Sequence, residues 1–121
     1  MEKISPQLRH QLAQFQQLQQ QAQVLIAQRQ QLEALLKETE QAIQEVEKLA
    51  EDATVYRSVG PILAKTSRGE ILQKLKEDRE AIDLRLKTIA RQEERTIQRI
   101  KEMREKIDLA MKEQPGAPGP S

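Results

Sequence analysis

The sequence predicts a mostly α-helical protein, a long antiparallel two-helix coiled coil with a β-hairpin at its centre. Three observations predict this fold class. Charged residues form 32% of the 121-residue chain and aromatic residues only 2%, a composition typical of long helices and coiled coils. Two long stretches carry apolar residues at alternating spacings of three and four, which keeps one face of a helix against a partner. Between these stretches lies a short segment of β-prone residues around Gly60 and Pro61.

The first helix is predicted over about residues 6–50, and residues 51–53 are expected to link it to the hairpin. Ser5 suits the N-cap position, because its hydroxyl can accept a hydrogen bond from a free backbone N–H of the first turn. Pro6 is tolerated at the first helical position. From Leu18 onward a regular heptad repeat defines a first seam, which contains Leu18, Ala22, Leu25, Arg29, Leu32, Leu36, Thr39, Ile43, Val46 and Ala50.

The start of this helix is expected to interrupt the repeat. Leu8, Leu12 and Phe15 fit the first seam only with a slip of three residues between Phe15 and Leu18. Such a slip, a stammer, overwinds a coiled coil locally or opens its seam. The region is also rich in glutamine. We interpret the glutamines of residues 11–31 as the solvated face of the helix rather than a prion-like tract, because apolar residues interrupt them at heptad spacing.

The central segment, residues 55–66 with the sequence VYRSVGPILAKT, is predicted to form a β-hairpin. Valine, isoleucine, tyrosine and threonine favour strands, so we expect strands at residues 55–58 and 62–66. The turn is expected at residues 59–61. Pro61 cannot donate a hydrogen bond to a neighbouring strand and restricts the residue before it, and both properties suit a turn.

The hairpin is expected to serve as a subunit interface. A two-stranded hairpin is marginally stable alone, and both of its outer edges present unpaired backbone groups. We therefore expect hairpins from several chains to pair edge to edge into a common sheet or barrel. The alternative is a plain turn that caps a stand-alone helical pair. The predicted interface residues are Val55, Tyr56, Val59, Gly60, Ile62, Leu63 and Ala64.

The second helix is predicted over about residues 68–112. Ser67 and Glu70 have the spacing of a capping box, in which each side chain satisfies a free backbone N–H of the helix start. The heptad repeat then runs without a slip through a second seam of Leu72, Leu75, Arg79, Ile82, Leu86, Ile89, Glu93, Thr96, Ile100, Met103, Ile107 and Ala110. Ion pairs at i, i+4, each contributing about 0.2–0.5 kcal/mol, are expected at Glu33/Lys37, Glu70/Lys74, Asp83/Lys87 and Glu102/Lys106.

The two helices and the hairpin are predicted to form one domain over residues 1–112. Residues 113–121, which are rich in proline and glycine, have no periodicity and are expected to be a disordered tail. Because the hairpin reverses the chain, the start of the first helix and the end of the second are expected to lie side by side.

Several classes of function are excluded by composition. The chain has no cysteine and a single histidine, His10, so it cannot build a His/Cys metal cluster or a Ser-His or Cys-His nucleophile within one chain. No glycine lies in a phosphate-loop context, and no cofactor is expected. The net charge is +1 and the basic stretches lack aromatic residues, which argues against nucleic-acid binding. No apolar run approaches the roughly 18 residues of a membrane span, and the polar N-terminus has no signal-peptide core. We therefore expect a soluble cytoplasmic protein without membrane contact.

The hairpin sequence and a later stretch, LKTIARQEERTIQRIKEM at residues 86–103, resemble beta-type prefoldin subunits, most closely the archaeal ones. The resemblance covers about residues 5–112, and a single central hairpin is the feature that points to the beta type. It implies a hexamer of two alpha-type and four beta-type subunits, whose hairpins build a double β-barrel platform from which six coiled coils project. It further implies an ATP-independent chaperone that holds unfolded proteins and delivers them to a group II chaperonin.

A holding function needs apolar surface that stays exposed, and the free end of a charged coiled coil can supply it. The structural alternative is that these apolar residues are simply the last heptads of the coil. A different class of function is also open, namely a coiled-coil adaptor that docks one folded partner in a larger complex. The residues predicted to bind substrate, which we call the tip residues, are Ile4, Leu8, Leu12, Phe15, Met103, Ile107, Leu109 and Met111.

Overall fold

The computed structural model describes residues 4–113, and the predicted tail after Glu113 lies outside them. Helix α1 spans Pro6–Glu47, strand β1 Thr54–Val59, strand β2 Ile62–Ser67 and helix α2 Arg68–Glu113. The strands form a two-stranded antiparallel sheet. The predicted fold class, two long helices with a β-hairpin between them, is therefore confirmed.

The chain divides into two compact units, each of which contains a stretch of both helices. One unit is Arg29–Thr88, with the end of α1, the hairpin and the start of α2. Its buried apolar residues are Leu32, Ile43 and Ile82. The other unit contains the described residues of Met1–Gln28 and Ile89–Ser121. Its buried apolar residues are Leu8, Ile89 and Ile107.

Burial along α2 follows the predicted heptad repeat. Every position of the second seam, from Leu72 to Ala110, is buried or half-buried. The positions of the first seam from Leu18 to Val46 are likewise buried or half-buried. Each helix therefore buries the narrow a/d stripe that a coiled coil requires.

Two threonines occupy buried seam positions without leaving their hydroxyls unpaired. The Thr39 hydroxyl donates to the carbonyl oxygen of Leu35 at 2.8 Å, and the Thr96 hydroxyl donates to that of Gln92 at 2.8 Å. Each bond stays within its own helix, four residues back, which is the usual partner of a helical threonine. A buried hydroxyl is costly only when it lacks a partner, so threonine is tolerated at these positions.

The predicted stammer near the start of α1 is wrong. The less exposed positions there are Leu8, Gln11, Phe15 and Leu18, and their spacings of three, four and three continue the heptad repeat. Gln11 therefore takes the seam position, while Leu12 is exposed. Leu8 and Phe15 are seven residues apart and face the seam in either arrangement. An unbroken repeat avoids the local overwinding that a stammer imposes, and this outweighs the burial of one leucine.

Helix α1 ends at Glu47, three residues before the predicted limit. The Leu49 N–H bonds to the Val46 carbonyl at 3.0 Å, a tight turn that replaces the helical pattern. Ala50 is consequently exposed and takes no part in the seam. The last carbonyls of α1 are capped from α2, because the Arg68 guanidinium donates to the carbonyl of Val46 at 3.3 Å and to that of Glu47 at 3.0 Å.

Substituting Arg68 with alanine is expected to destabilise the chain by about 1–2 kcal/mol, because two charge-assisted hydrogen bonds to the end of α1 are lost. Urea unfolding of the purified protein measures this difference. Arg68→Lys is expected to recover less than half of the loss, since an ammonium lacks the fork that reaches two carbonyls. Equal stability of all three proteins would contradict the capping role.

Hydroxyl caps begin both helices as the sequence predicts. The Ser5 hydroxyl accepts from the Leu8 N–H at 3.1 Å, and the Ser67 hydroxyl accepts from the Glu70 N–H at 3.1 Å. The second half of the capping box is different, since the Glu70 carboxylate accepts from the Thr66 hydroxyl at 2.9 Å. That bond ties the end of β2 to the first turn of α2.

The hairpin closes through a two-residue turn, Gly60-Pro61, with Val59 paired to Ile62. Gly60 has a φ of 57°, a left-handed value that favours glycine. Two-residue turns with glycine first match the twist of the flanking strands. Strand β1 starts one residue earlier and ends one residue later than predicted, at Thr54 and Val59.

Candidate functional site

The hairpin has two faces, which the strand register defines. Tyr56 and Ser58 lie on one face, opposite Lys65 and Leu63. The other face carries Val55, Arg57 and Val59, together with their cross-strand partners Thr66, Ala64 and Ile62. Val55 and Ala64 are half-buried, whereas Tyr56, Val59, Ile62 and Leu63 are exposed. Most of the predicted interface residues therefore present apolar surface on the hairpin.

The exposure of this hairpin is unusual for apolar side chains. Leu63 is 71% exposed and Ile62 60% exposed, next to the turn. Within residues 4–113, β1 and β2 pair only with each other, so the outer edge of each strand presents free backbone groups. An exposed apolar hairpin with two open edges favours pairing with further strands.

The tip residues divide into two groups by burial. Leu8 and Ile107 are buried in the seam, and Phe15 and Met103 are half-buried. The exposed members are Ile4, Leu12, Leu109 and Met111, of which Leu109 is 58% and Met111 51% exposed. The exposed group is available to a partner without any rearrangement of the helices.

The half-buried Phe15 is also covered from one side. The Arg104 guanidinium lies 5.9 Å from the centre of the Phe15 ring, within the range of a cation–π contact. Such a contact is worth about 0.5–1 kcal/mol at an exposed site. Phe15 therefore contributes to the stability of this unit, and a partner must displace Arg104 to reach that side of the ring.

The start of the first seam contains a buried polar atom with no partner. The Gln11 side-chain oxygen is buried and makes no hydrogen bond to any described residue. An unsatisfied buried carbonyl costs about 1–3 kcal/mol. Gln11 therefore weakens the seam next to Leu8 and Phe15. An apolar residue at this position would make the seam more stable.

Replacing Gln11 with leucine is expected to stabilise the chain by about 1–3 kcal/mol, because the orphaned carbonyl is removed and apolar surface is buried instead. The gain is measured by urea unfolding. Gln14→Leu is the matched control, since Gln14 is exposed on the same helix and should bring little or no gain. A destabilised Gln11→Leu protein would show that the seam has no room for leucine.

The remaining chemistry of the described residues is sparse. No group of three or more His, Asp or Glu side chains in residues 4–113 has an arrangement that could hold a metal ion. Neither α1 nor α2 is long and apolar enough to cross a membrane. The candidate functional surfaces are therefore the apolar hairpin and the exposed tip residues.

Comparison with known proteins decides the family. A family model described as prefoldin subunit matches residues 9–114. The chain belongs to the prefoldin family. Prefoldin subunit beta of Methanosarcina acetivorans is 51% identical over 92 residues, which cover 76% of this chain and 79% of that protein. Prefoldin subunit beta of Pyrococcus furiosus is 41% identical over 95 residues, which cover 78% and 81%.

The fold comparison agrees with the sequence comparison. The crystal structure of the prefoldin beta subunit from Thermococcus strain KS-1 matches with a TM-score of 0.83 at 35% identity, covering 91% of this chain and 96% of that chain. The resemblance to beta-type prefoldin subunits is thus confirmed. Prefoldins are a family of chaperones rather than enzymes, so the chain has a chaperone-type function.

Two features of these surfaces were missed from the sequence. The predicted slip places Leu12 at the seam position that Gln11 occupies, although extending the heptad of Leu18 backwards by seven residues reaches Gln11 directly. The capping of α1 by Arg68 joins residues 21 and 22 positions apart, and no local pattern predicts it. Both features determine how firmly the ends of the helices are held.

Proposed function

We propose that this chain is a subunit of an ATP-independent holding chaperone that binds non-native polypeptides through its tip residues. The observation that carries the proposal is the exposed apolar group of Ile4, Leu12, Leu109 and Met111. Burial of apolar surface stabilises a complex by about 25 cal/mol per Å². Leu109 and Met111 lie on α2, a helix rich in charged residues. A client that covers these two side chains removes their apolar surface from water, which stabilises the complex.

The chemistry of these residues suits clients of many sequences. Methionine is unbranched and polarisable, so Met111 can adapt to differently shaped apolar partners. Each contact is weak and needs no nucleotide. Several subunits acting on one client raise the effective concentration of binding sites, so weak contacts combine into a stable complex. Stepwise release of such contacts suits delivery of the client to a group II chaperonin.

The hairpin supplies the assembly. Its open edges and exposed apolar residues support pairing with hairpins of other subunits into a β-barrel platform. The proposed particle is a hexamer of two alpha-type and four beta-type subunits. Its proposed contacts are the seven predicted interface residues, among which Ile62 and Leu63 are the most exposed large apolar side chains.

Co-expression with an alpha-type prefoldin subunit tests the proposal. The purified complex should have the mass of a hexamer. Without nucleotide, it should delay the aggregation of several unrelated denatured proteins at near-stoichiometric concentration. A complex that assembles but protects no denatured protein, or only one folded partner, would instead support a coiled-coil adaptor.

A further inference from the structure

The first half of α1 differs from the rest of the chain in charge. Residues 11–28, QLAQFQQLQQQAQVLIAQ, contain no charged residue, and 9 of these 18 residues are glutamine. Charged residues form 32% of the whole sequence. The α2 segment in the same unit, from Ile89 onward, is by contrast densely charged. Solvation alone does not require an uncharged helix face, because Glu and Lys form helices as well as Gln does and are also well solvated.

A groove lies along this uncharged stretch. It has a volume of about 540 Å³ and is lined by Gln17, Gln20, Gln21, Val24, Leu25, Gln28, Gln92 and Thr96. All of these residues belong to one compact unit. Val24 is 55% exposed, so the groove combines an apolar side chain with a surround of amides. The groove is open to solvent along one side, so an extended segment can lie in it.

The glutamine amides of the groove have free hydrogen-bonding capacity. Elsewhere on the described surface, Gln73 and Gln98 each donate to a glutamate four residues further along the helix. The side chains of Gln17, Gln21 and Gln28 have no such partner among residues 4–113. A primary amide offers two donors and one acceptor oxygen. It can therefore donate a hydrogen bond to a peptide C=O or accept one from a peptide N–H.

We propose that this groove, which we call the glutamine groove, is a second client-binding surface that takes an extended, non-native segment through its peptide groups. The inference rests on the proposed holding function and adds a site to the tip residues. Non-native chains differ in side chains and charge but always expose peptide N–H and C=O groups. A neutral, amide-lined groove with Val24 in it complements that common feature and repels neither acidic nor basic clients.

A second groove of the same unit has a mostly charged lining. It is lined by Arg91, Glu94, Arg95, Gln98, Arg99 and Glu102, so five of its six lining residues are charged. Desolvating charged side chains opposes the docking of an apolar or neutral segment. The α1 residues of the glutamine groove belong to the same uncharged stretch as the tip residues Leu12 and Phe15. One client segment can therefore contact both the groove and the tip residues.

Charge substitution in the assembled chaperone tests the proposal. The double variant Gln21→Glu, Gln28→Glu places two negative charges in the groove. The control, Gln16→Glu with Gln23→Glu, adds the same charges at the same spacing of seven to exposed positions of α1 that do not line it. The probes are reduced, carboxymethylated α-lactalbumin, which is acidic, and reduced lysozyme, which is basic.

The groove variant is expected to bind the acidic probe about three- to tenfold more weakly, because the added carboxylates repel an acidic segment that lies in the groove. Its binding of the basic probe should be unchanged or tighter. The control should bind both probes with the affinity of the unmodified complex. Equal behaviour of the two double variants would overturn the proposal.

A photo-crosslinking amino acid gives a readout that does not depend on affinity. Placed at Val24 in the groove, it should form a covalent product with either probe, whereas at Gln23 outside the groove it should not. Crosslinks from position 24 only to a neighbouring prefoldin subunit would overturn the proposal and identify a subunit contact instead. If the unmodified complex holds neither probe, the holding function itself fails. If it holds both and position 24 captures neither, only the groove fails.

Discussion

Replacing both Ile62 and Leu63 with lysine is expected to break the assembled particle into species of lower mass. These side chains are 60% and 71% exposed on the hairpin of the single chain, so the substitutions should not disturb its own core. In the assembly they are expected to be covered, and an unpaired charge in a desolvated interface costs several kcal/mol. Sedimentation velocity of the co-expressed complex measures the change.

A matched control separates loss of assembly from a general effect of added charge. Ile97 and Leu84 lie on α2 and are 50% and 64% exposed, so Ile97→Lys with Leu84→Lys makes the same chemical change outside the hairpin. This control complex should sediment as the unmodified one does. Full-size particles from the hairpin variant would show that the assembly interface lies elsewhere.

Replacing Ile4, Leu12 and Leu109 with serine is expected to remove most of the suppression of client aggregation while the assembly stays intact. Each side chain contributes on the order of 1 kcal/mol when a client partly covers it. The three together then amount to about a hundredfold in affinity at each subunit. Light scattering of a denatured client at fixed chaperone concentration measures the suppression, and sedimentation checks the particle.

The control for this prediction has the same composition. Leu35, Leu84 and Ile97 are exposed on α1 and α2 and are not tip residues, so their replacement by serine removes as much apolar surface. That variant should suppress aggregation as well as the unmodified complex. If the two triple variants lose activity equally, general hydrophobicity rather than the tip residues binds clients.

The heptad repeat of α2 was predictable because it is nearly unbroken and rich in branched apolar residues. Ile82, Ile89 and Ile107 lie at the predicted positions and are buried. The same repeat explains why the tip residues divide. Ile107 belongs to the predicted second seam, whereas Leu109 and Met111 do not. Burial of the four tip residues of α2, namely Met103, Ile107, Leu109 and Met111, therefore follows from the sequence when the second seam is applied to each one.

The start of α1 was harder to predict because two arrangements compete. A slip buries Leu12, and an unbroken repeat buries Gln11. Hydrophobicity favours the first and helix geometry favours the second, and the difference is a few kcal/mol at most. The end of α1 depends on Arg68, a contact between residues far apart in sequence, which periodicity does not encode.

Surface ion pairs were also poorly predicted. The spacing predicts that Glu33 pairs with Lys37, but its carboxylate accepts from the Arg29 guanidinium at 2.8 Å. Lys74 was expected to pair with Glu70, but its ammonium lies 3.0 Å from the carboxylate of Asp78. An exposed charge often has candidate partners four residues away in both directions. The alternatives differ by only a few tenths of a kcal/mol, so sequence spacing does not decide between them.

Hydrogen exchange of the hairpin amides in the purified hexamer gives the most direct test that strands of other chains complete this small sheet. Half of the amides of β1 and β2 point away from the partner strand and exchange freely in an isolated hairpin, because only hydrogen-bonded amides are protected. In the assembled particle, the outward-pointing amides of residues 54–59 and 62–67 should exchange slowly. Rapid exchange at both outer edges in a particle of full size would contradict assembly through the hairpin.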